Sequence, residues 1–527
     1  MADSGTSNAN PVRTHAPWYG FATPFVGKSV RWASRLLHHG GSAFPGKVVE
    51  RFDPTFLSRT LSTLPLGVVL VSGTNGKTTT TRMVATMLES LGLKVFTNPT
   101  GSNFTRGVVS SILTEVPLNG RLDADIAVLE LDEAYAVHFV EQVQPRYALL
   151  LNVMRDQLDR FGEIDNTARL LGHVAAATRG TVVLNREDPR IARLRDVVKD
   201  GVRTRYFGLA EGLRHYFPAD DDMTTTFQVQ SADSAQAPEA ADAQIVDVAH
   251  DVGTAHELHA DVMLTKVGDH HAQMVIDGRE YESDVKLEGV YNLFNAAAAL
   301  AVVRAVAADA QSMFLPFEDA LADSVDADGA DAGTETDGNG SHDAIDQAAA
   351  DEILRAAGVS PRMIAFAHAT TQAMIDTAGE VTPAFGRGEV ITVNGTPVEL
   401  LLVKNPMGFR LSLASFKPEG CDTMICINDE YADGRDMSWL WDVDFTSLRG
   451  TGVKAVSGVR AWDMALRLEY DQVPVESVST DLEESVVNFV NANSGTPKHI
   501  YCTYTAMLKT RAALAKIADV ADAGVGK

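Results

Sequence analysis

Cysteine is scarce: Cys421, Cys426 and Cys502 are the only three in 527 residues. That excludes a disulfide-stapled secreted scaffold and points to a reducing compartment. Each of the three lies in or beside an apolar run, where a cysteine serves as a small buried hydrophobe rather than as a nucleophile. Positive charge is short as well. Lys and Arg number 45 against 70 Asp and Glu, a net charge of −25, which argues against a nucleic-acid-binding surface. No apolar run reads as long enough to cross a bilayer, and the start lacks the basic-then-apolar pattern of an export signal. These absences predict a cytoplasmic protein. What remains, 45% hydrophobic and 22% charged residues, is the composition of a globular chain, and its length predicts two or three domains.

The rest of the chain is organised around Gly67 to Thr81, GVVLVSGTNGKTTTT. Val68 to Val71 reads as a short buried strand, and from Thr80 apolar residues recur at helical spacing through Met83, Val84, Met87, Leu88 and Leu91. Strand, glycine-rich turn and helix form a phosphate cradle, in which backbone N–H groups and a helix N-terminus face the anion. Gly73, Thr74, Asn75, Gly76, Lys77, Thr78 and Thr79 are the candidate nucleotide-binding residues. Lys77 would reach the β/γ-phosphates and the Thr78 hydroxyl would ligate Mg²⁺. The Lys77 stem is expected near the surface, so its loss should spare the fold. A second strand, Ala124 to Leu129, ends in Glu130, Asp132 and Glu133. At the carboxyl end of a parallel strand, Glu130 is placed as a hard oxygen ligand for Mg²⁺, whereas Asp132 and Glu133 suit a helix N-terminus.

Around these motifs the chain divides. Residues 1–17 read as a disordered lead-in. Residues 18–60 interleave Trp18, Tyr19, Phe21, Phe25, Trp32 and Phe44 with Lys28, Arg31, Arg35, Lys47 and Arg51. That segment is either a helix packed on the domain or a contact with a lipid surface. Residues 61–315 form the ATP-binding domain, in which Tyr147 to Asn152 and Thr181 to Asn185 are further buried strands. Residues 316–354, with many acidic side chains and no Lys or Arg, read as a disordered insertion, and 355–527 as a C-terminal domain. Asn292 either caps the alanine-rich helix that follows it or, with Asn295, reads a ligand. Arg387, in Phe385-Gly386-Arg387-Gly388, is either a phosphate contact or a turn residue at the hinge.

GTNGKTTT, LELDEA, the segment from Asn152 to Asp159, GVYNLFNAAAA and FGRG together resemble the Mur ligase family of ATP-dependent ligases. KNPMGF, INDEYADGRDMSWLWDVDF, SGVRAWDMALRL and TYTAML resemble its MurT group in particular, over about residues 25–510. The resemblance implies an α/β fold: a central P-loop ATPase domain with a parallel sheet, and a Rossmann-like C-terminal domain. It implies ATP and Mg²⁺, asparagines Asn292 and Asn295 near adenine, and Arg387 at the phosphates. It also implies a GatD-like glutaminase partner and amidation of the D-glutamate α-carboxylate of lipid II, at the inner face of the plasma membrane, without a transmembrane segment.

The chain departs from the family pattern in places. Gln157 stands where many members have a metal-binding histidine, and the modified lysine used by several members has no equivalent, His173 included. The four-cysteine zinc ribbon of many MurT relatives is missing between Tyr206 and Val285, so no structural zinc is expected. A glutaminase also needs a carboxylate to orient its histidine, and the resemblance implies one from this chain. Asp429, Asp433, Asp436, Asp442 and Asp444 are the candidates; Asp436 ranks first and Asp442 second, because they flank Trp439 and Trp441, two expectedly exposed interface anchors. A stand-alone folylpolyglutamate-type ligase and a non-catalytic nucleotide-binding scaffold are the alternatives. The DGRDMSWLWD loop counts against the first, and Lys77, Thr78 and Glu130 count against the second.

Overall fold

The computed structural model describes residues 17–36, 44–98, 103–154, 164–216, 258–268, 271–284, 290–328, 351–352, 354–356, 359–381 and 387–520. The lead-in before residue 17, Gln157 and the histidines between 217 and 257 lie outside these residues.

Three helices, α1 (Thr23–Leu36), α2 (Phe44–Phe52) and α3 (Phe56–Leu61), precede the first strand. β1 (Val68–Ser72) then runs into α4 (Lys77–Ser90). β2 (Val95–Thr97), α5 (Thr105–Glu115), β3 (Ile126–Glu130), α6 (Glu133–Val140) and β4 (Tyr147–Leu150) follow in turn. After α7 (Ile164–Ala177) come β5 (Thr181–Asn185), β6 (Arg203–Leu209), β7 (Val262–Gly268), β8 (His271–Ile276) and β9 (Arg279–Asp284).

These strands form one sheet in the order β2-β3-β1-β4-β5-β6-β7-β8-β9, parallel as far as β7 and antiparallel through β8 and β9. β1 lies between β3 and β4, with Leu70 opposite Leu129 on one side and Ala148 on the other. All five of its residues are buried, because helices cover both faces of the sheet. Val69 and Val71 pack among Met83, Val84 and Met87 of α4, while Val68 and Leu70 pack among Val108 and Ile112 of α5. Alternate side chains of a strand point to opposite faces, so one apolar run serves two cores.

α8 (Val290–Asp328) lies against α4 and the strands. Contrary to the expectation that no run suits a bilayer, Tyr291–Met313 is long and apolar enough by composition. Of its most apolar window 83% is buried in the protein, so it is the central core helix of this domain. Its run of alanines allows close approach on several sides. The helix continues to Asp328, thirteen residues into the segment that composition marks as unfolded; 329–350 lie outside the described residues.

α9 (Pro361–Ala367) and α10 (Thr371–Ala378) were expected in the C-terminal domain, but they pack on α8, α4 and β9. Met363, Phe366, Met374 and Ile375 complete the same core as Val69. Arg362 fixes the placement with a two-pronged contact to buried Asp125, at 2.6 and 3.1 Å. The C-terminal domain therefore starts later than residue 355, at β10 (Arg387–Val393).

That domain continues with β11 (Thr396–Leu402), α11 (Pro406–Ser415), β12 (Asp422–Cys426), β13 (Ala455–Ser457), α12 (Ala461–Tyr470) and β14 (Val478–Ser479). α13 (Leu482–Asn491), β15 (Lys498–Cys502) and α14 (Tyr504–Leu514) complete it. Its sheet runs β10-β11-β15-β12-β13-β14, parallel except for the β10–β11 hairpin. Cys426 and Cys502 are neighbours across β12 and β15 and are fully buried. Their mutual hydrogen bond and, after it, burial push the Cys426 thiol well above its usual range, which makes it inert.

Candidate active site

The nucleotide loop leaves the carboxyl end of β1, where the strand order reverses. Gly73 and Gly76 adopt φ of +135° and +86°, backbone that a side chain strains. Space demands glycine there too. A Cβ at Gly73 would lie 3.0 Å from the Asn152 backbone, and one at Gly76 would lie 2.7 Å from Asn295 Oδ1. The loop is pinned by the end of β4. Thr74 N donates to the Asn152 carbonyl at 2.9 Å, and Asn75 N donates to Asn152 Oδ1 at 2.8 Å. Asn152 Nδ2 returns a bond to the Asn75 carbonyl at 3.0 Å. This shape is set by the fold, and it opens on the N-terminus of α4, where backbone N–H groups favour an anion.

Thr78 Oγ1 donates to Glu130 Oε1 at 2.9 Å, so the two expected metal ligands meet. Asn98 holds Glu130 from behind, exchanging two 2.9 Å bonds with its backbone. A hydroxyl and a carboxylate side by side, next to a phosphate cradle, are the oxygen donors Mg²⁺ takes when it retains waters and phosphate oxygens. The residues present therefore fit Mg²⁺ with ATP.

Lys77 departs from expectation. It is 5% exposed, and its Nζ lies 3.3 Å from Asp132 Oδ1, 3.4 Å from Glu133 Oε2 and 3.4 Å from the Thr74 carbonyl. Asp132 precedes α6 without capping it, because its carboxylate turns to Lys77. Burial pushes the Glu133 carboxyl up to about 7, with Lys77 pulling it down and Asp132 pushing it further up. Both acids, read from sequence as helix-terminal charges, are thus part of the site.

Asn292 and Asn295 lie in the first turns of α8, and Asn295 sits against Gly76, which brings that candidate to the loop. Arg387 opens β10 opposite Leu401, one residue before the end of β11. The Lys404-Asn405-Pro406 turn that follows β11 is a contact sequence reasoning missed. Lys404 Nζ donates to the Thr74 carbonyl at 3.2 Å, and Asn405 Nδ2 donates to Asn75 Oδ1 at 3.0 Å. Asn405 also caps α11, accepting from Gly408 N at 2.7 Å, and is fully buried. Its sequence signal, asparagine before a proline at the first helical position, announces a cap and says nothing of a second partner.

The loop after β12 forms a second cluster. Asp433 is buried and accepts from Thr505 N at 2.7 Å and Glu430 N at 3.1 Å, which makes it a loop anchor. Burial raises its pKa, against the pull of its Thr505 bonds. Asp429 lies 3.6 Å from Arg460, and Asp444 accepts from Thr446 N at 2.9 Å. Asp436 is exposed; its bond from Ser438 holds its carboxyl below the usual range. Asp442 is half-buried, and its carbonyl accepts from Arg410.

Of the two indoles expected to be exposed, Trp439 is buried beside Phe409 in the domain core, and only Trp441 is exposed, at 45%. The reason is the 3₁₀ turn Ser438–Asp442, in which residues three apart share a side: Ser438 and Trp441 face out while Trp439 and Leu440 face the core. Arg467 anchors that turn through the carbonyls of Leu440 and Val443, at 3.2 and 2.6 Å.

Known proteins extend this geometry. The Mur ligase middle domain family model matches residues 71–303, and the MurT ligase C-terminal family model matches 402–507. The MurT subunit of the glutamine-hydrolysing lipid II isoglutaminyl synthase from Streptococcus pneumoniae is 27% identical over 500 residues, 90% of this chain and 92% of the relative. The Staphylococcus aureus MurT subunit is 26% identical over 474 residues, 85% of this chain and 87% of the relative. A UDP-N-acetylmuramoylalanine–D-glutamate ligase from Paraburkholderia phymatum is 28% identical over 245 residues, covering only 45% and 43%. Among solved structures, MurF of Acinetobacter baumannii superposes with a TM-score of 0.54 at 15% identity, covering 86% of this chain and 77% of MurF. MurF of Thermotoga maritima, in complex with ADP, gives 0.52 at 15% identity, with 91% and 83% covered. The structures share the fold, and the two sequence models meet at the two halves of the site. The chain belongs to the Mur ligase family, in its MurT branch.

Proposed function

We propose that this chain is the synthetase subunit that amidates the D-glutamate α-carboxylate of lipid II to D-isoglutamine, using ATP and ammonia released by a GatD-like glutaminase. The observation that carries this reading is the junction of the two halves: the phosphate loop joined through Asn75 and Thr74 to Asn405 and Lys404 of a MurT-type domain.

The chemistry follows from the residues. The substrate carboxylate attacks the γ-phosphorus of ATP, an acyl phosphate forms and ADP leaves. Ammonia then attacks the acyl carbon, loses a proton, and phosphate departs with the C–O bond. Loop N–H groups between Gly73 and Thr79 and the charge of Lys77 offset the phosphate charge that builds up. Asp132 and Glu133 position Lys77 beforehand. Thr78 and Glu130 would hold Mg²⁺, which supplies charge neutralisation at the β- and γ-phosphates. Asn292 and Asn295 are proposed for adenine and Arg387 for the phosphates.

The glutaminase would dock on the C-terminal domain. Trp462, Leu466 and Tyr470 form an exposed stripe on α12 at helical spacing, and Trp441 packs edge-on to Tyr470, 5.0 Å away. An apolar ridge of this kind beside Asp436 and Asp442 suits a protein interface. The decisive experiment incubates lipid II with ATP, the glutaminase and glutamine labelled at its amide nitrogen. Mass spectrometry should find the label in lipid II only with both subunits present. Unlabelled lipid II with ATP turned over would overturn the assignment.

A further inference from the structure

α1 and α2 turn one side to the domain and leave the other bare. Their inner side is packed tightly: a Cβ on Gly27 would fall 2.4 Å from Leu113 Cδ2, and one on Gly46 would fall 2.0 Å from the Arg106 carbonyl, both on α5. Buried Asp53 ties the start of α1 to α3, accepting from Thr23 Oγ1 at 2.7 Å and pairing with Arg59 at 3.0 Å. The helices therefore hold a fixed orientation. Outward, Trp18, Phe21, Phe25, Trp32 and Leu36 are 87, 78, 64, 68 and 64% exposed. Phe25, Trp32 and Leu36, seven and four residues apart, trace one stripe along α1, and Trp18 and Phe21 lie in the turn and the 3₁₀ turn that lead into it. Phe44, Lys47 and Arg51 form the exposed row of α2.

The charge around this stripe has one sign. Residues 17–49 contain Lys28, Arg31, Arg35 and Lys47 but no Asp or Glu, within a chain of net charge −25, and the one acid on α2, Glu50, is paired with Arg106 of α5 at 2.7 Å. Against a background so acidic, helices whose excess charge is basic are complementary to a surface of uniform negative charge. Bulky aromatics beside Lys and Arg on a helix that lies flat are the features that seat a helix at the headgroup level of a bilayer. The apolar ridge of α12 is elsewhere, on the other domain, so a protein subunit bound there leaves this face uncovered.

We propose that the outer face of α1 and α2 docks this chain on an anionic phospholipid bilayer, with the aromatics at the headgroup boundary and the basic side chains against lipid phosphates. Docking is a property separate from the reaction, so it holds or fails independently of the amidation.

The test is co-sedimentation of the full chain with vesicles of mixed phosphatidylglycerol and phosphatidylcholine, beside vesicles of phosphatidylcholine alone. The wild type should bind the anionic vesicles, release as salt rises, and ignore the neutral ones. The triple variant Phe21→Ser/Phe25→Ser/Trp32→Ser should lose about tenfold or more in vesicle affinity, and Lys28→Glu/Lys47→Glu a similar factor. ATP binding and melting temperature should be unchanged in both. Failure of the wild type to bind, equal binding to neutral vesicles, or wild-type binding by both variants would overturn the proposal. So would a triple variant that loses self-association or glutaminase binding while keeping its lipid affinity, since the face would then serve a protein.

Discussion

Replacing Lys77 with alanine removes the ammonium that lies 3.3 and 3.4 Å from two buried carboxylates. The cost is set by what Glu133 does next. In the wild type its carboxyl is pushed up from 4.5 to about 7, chiefly by burial. A raised carboxyl stabilises the fold fully below the unfolded value and loses that contribution as pH rises to 7. The loss is about 3 kcal/mol, at about 1.4 kcal/mol per unit. Without Lys77 the carboxyl keeps its proton to higher pH still. At pH 6 the group is protonated with or without Lys77, and the variant loses little through it. Above pH 7 the wild-type loss stops growing while that of the variant continues, at up to about 1.4 kcal/mol per pH unit. Urea unfolding of both proteins, nucleotide- and Mg²⁺-free, should therefore show a gap that is larger by about 1 kcal/mol at pH 8 than at pH 6. Glu133→Gln in the Lys77→Ala background should remove that pH dependence. A gap of equal size at both pH values, or one that survives Glu133→Gln, would refute the argument.

Other outcomes follow from the same geometry. Glu130→Gln should raise the Mg²⁺ concentration needed for half-maximal ATP turnover, since one charged oxygen of the Thr78–Glu130 pair is lost; titration of Mg²⁺ at fixed ATP checks this. Asn405→Ala removes both a helix cap and the bond to Asn75, so it should cost about 1 kcal/mol in stability and also raise KM for ATP. Asp436→Asn or Asp442→Asn should depress glutamine hydrolysis by the complex and spare amidation driven by high free ammonium. Unchanged hydrolysis in both variants would show that the loop after β12 does not serve the glutaminase.

Sequence by itself determined the phosphate loop, the two-domain α/β plan and the family. Those depend on local pattern: a buried run before a glycine-rich turn, an apolar helical period after it, and glycines whose positive φ leaves little choice of residue. The place of Glu130 at the carboxyl end of a buried strand was legible for a similar reason, because the apolar run before it ends there. Tertiary structure decided everything that needs two distant segments at once. Asp132 and Glu133 look like ordinary helix-start acids until β3 is set beside β1 and Lys77 comes between them. Asn405 reads as a cap until the C-terminal domain brings it to Asn75, across 330 positions of chain. Trp439 and Trp441 are two residues apart and chemically alike, yet a single 3₁₀ turn buries one and exposes the other. The limit of α9 and α10 was set by packing on α8, since apolar helices carry no mark of the core they join. Burial is a property of the assembled chain, and the charges, interfaces and domain limits that depend on burial were fixed only there.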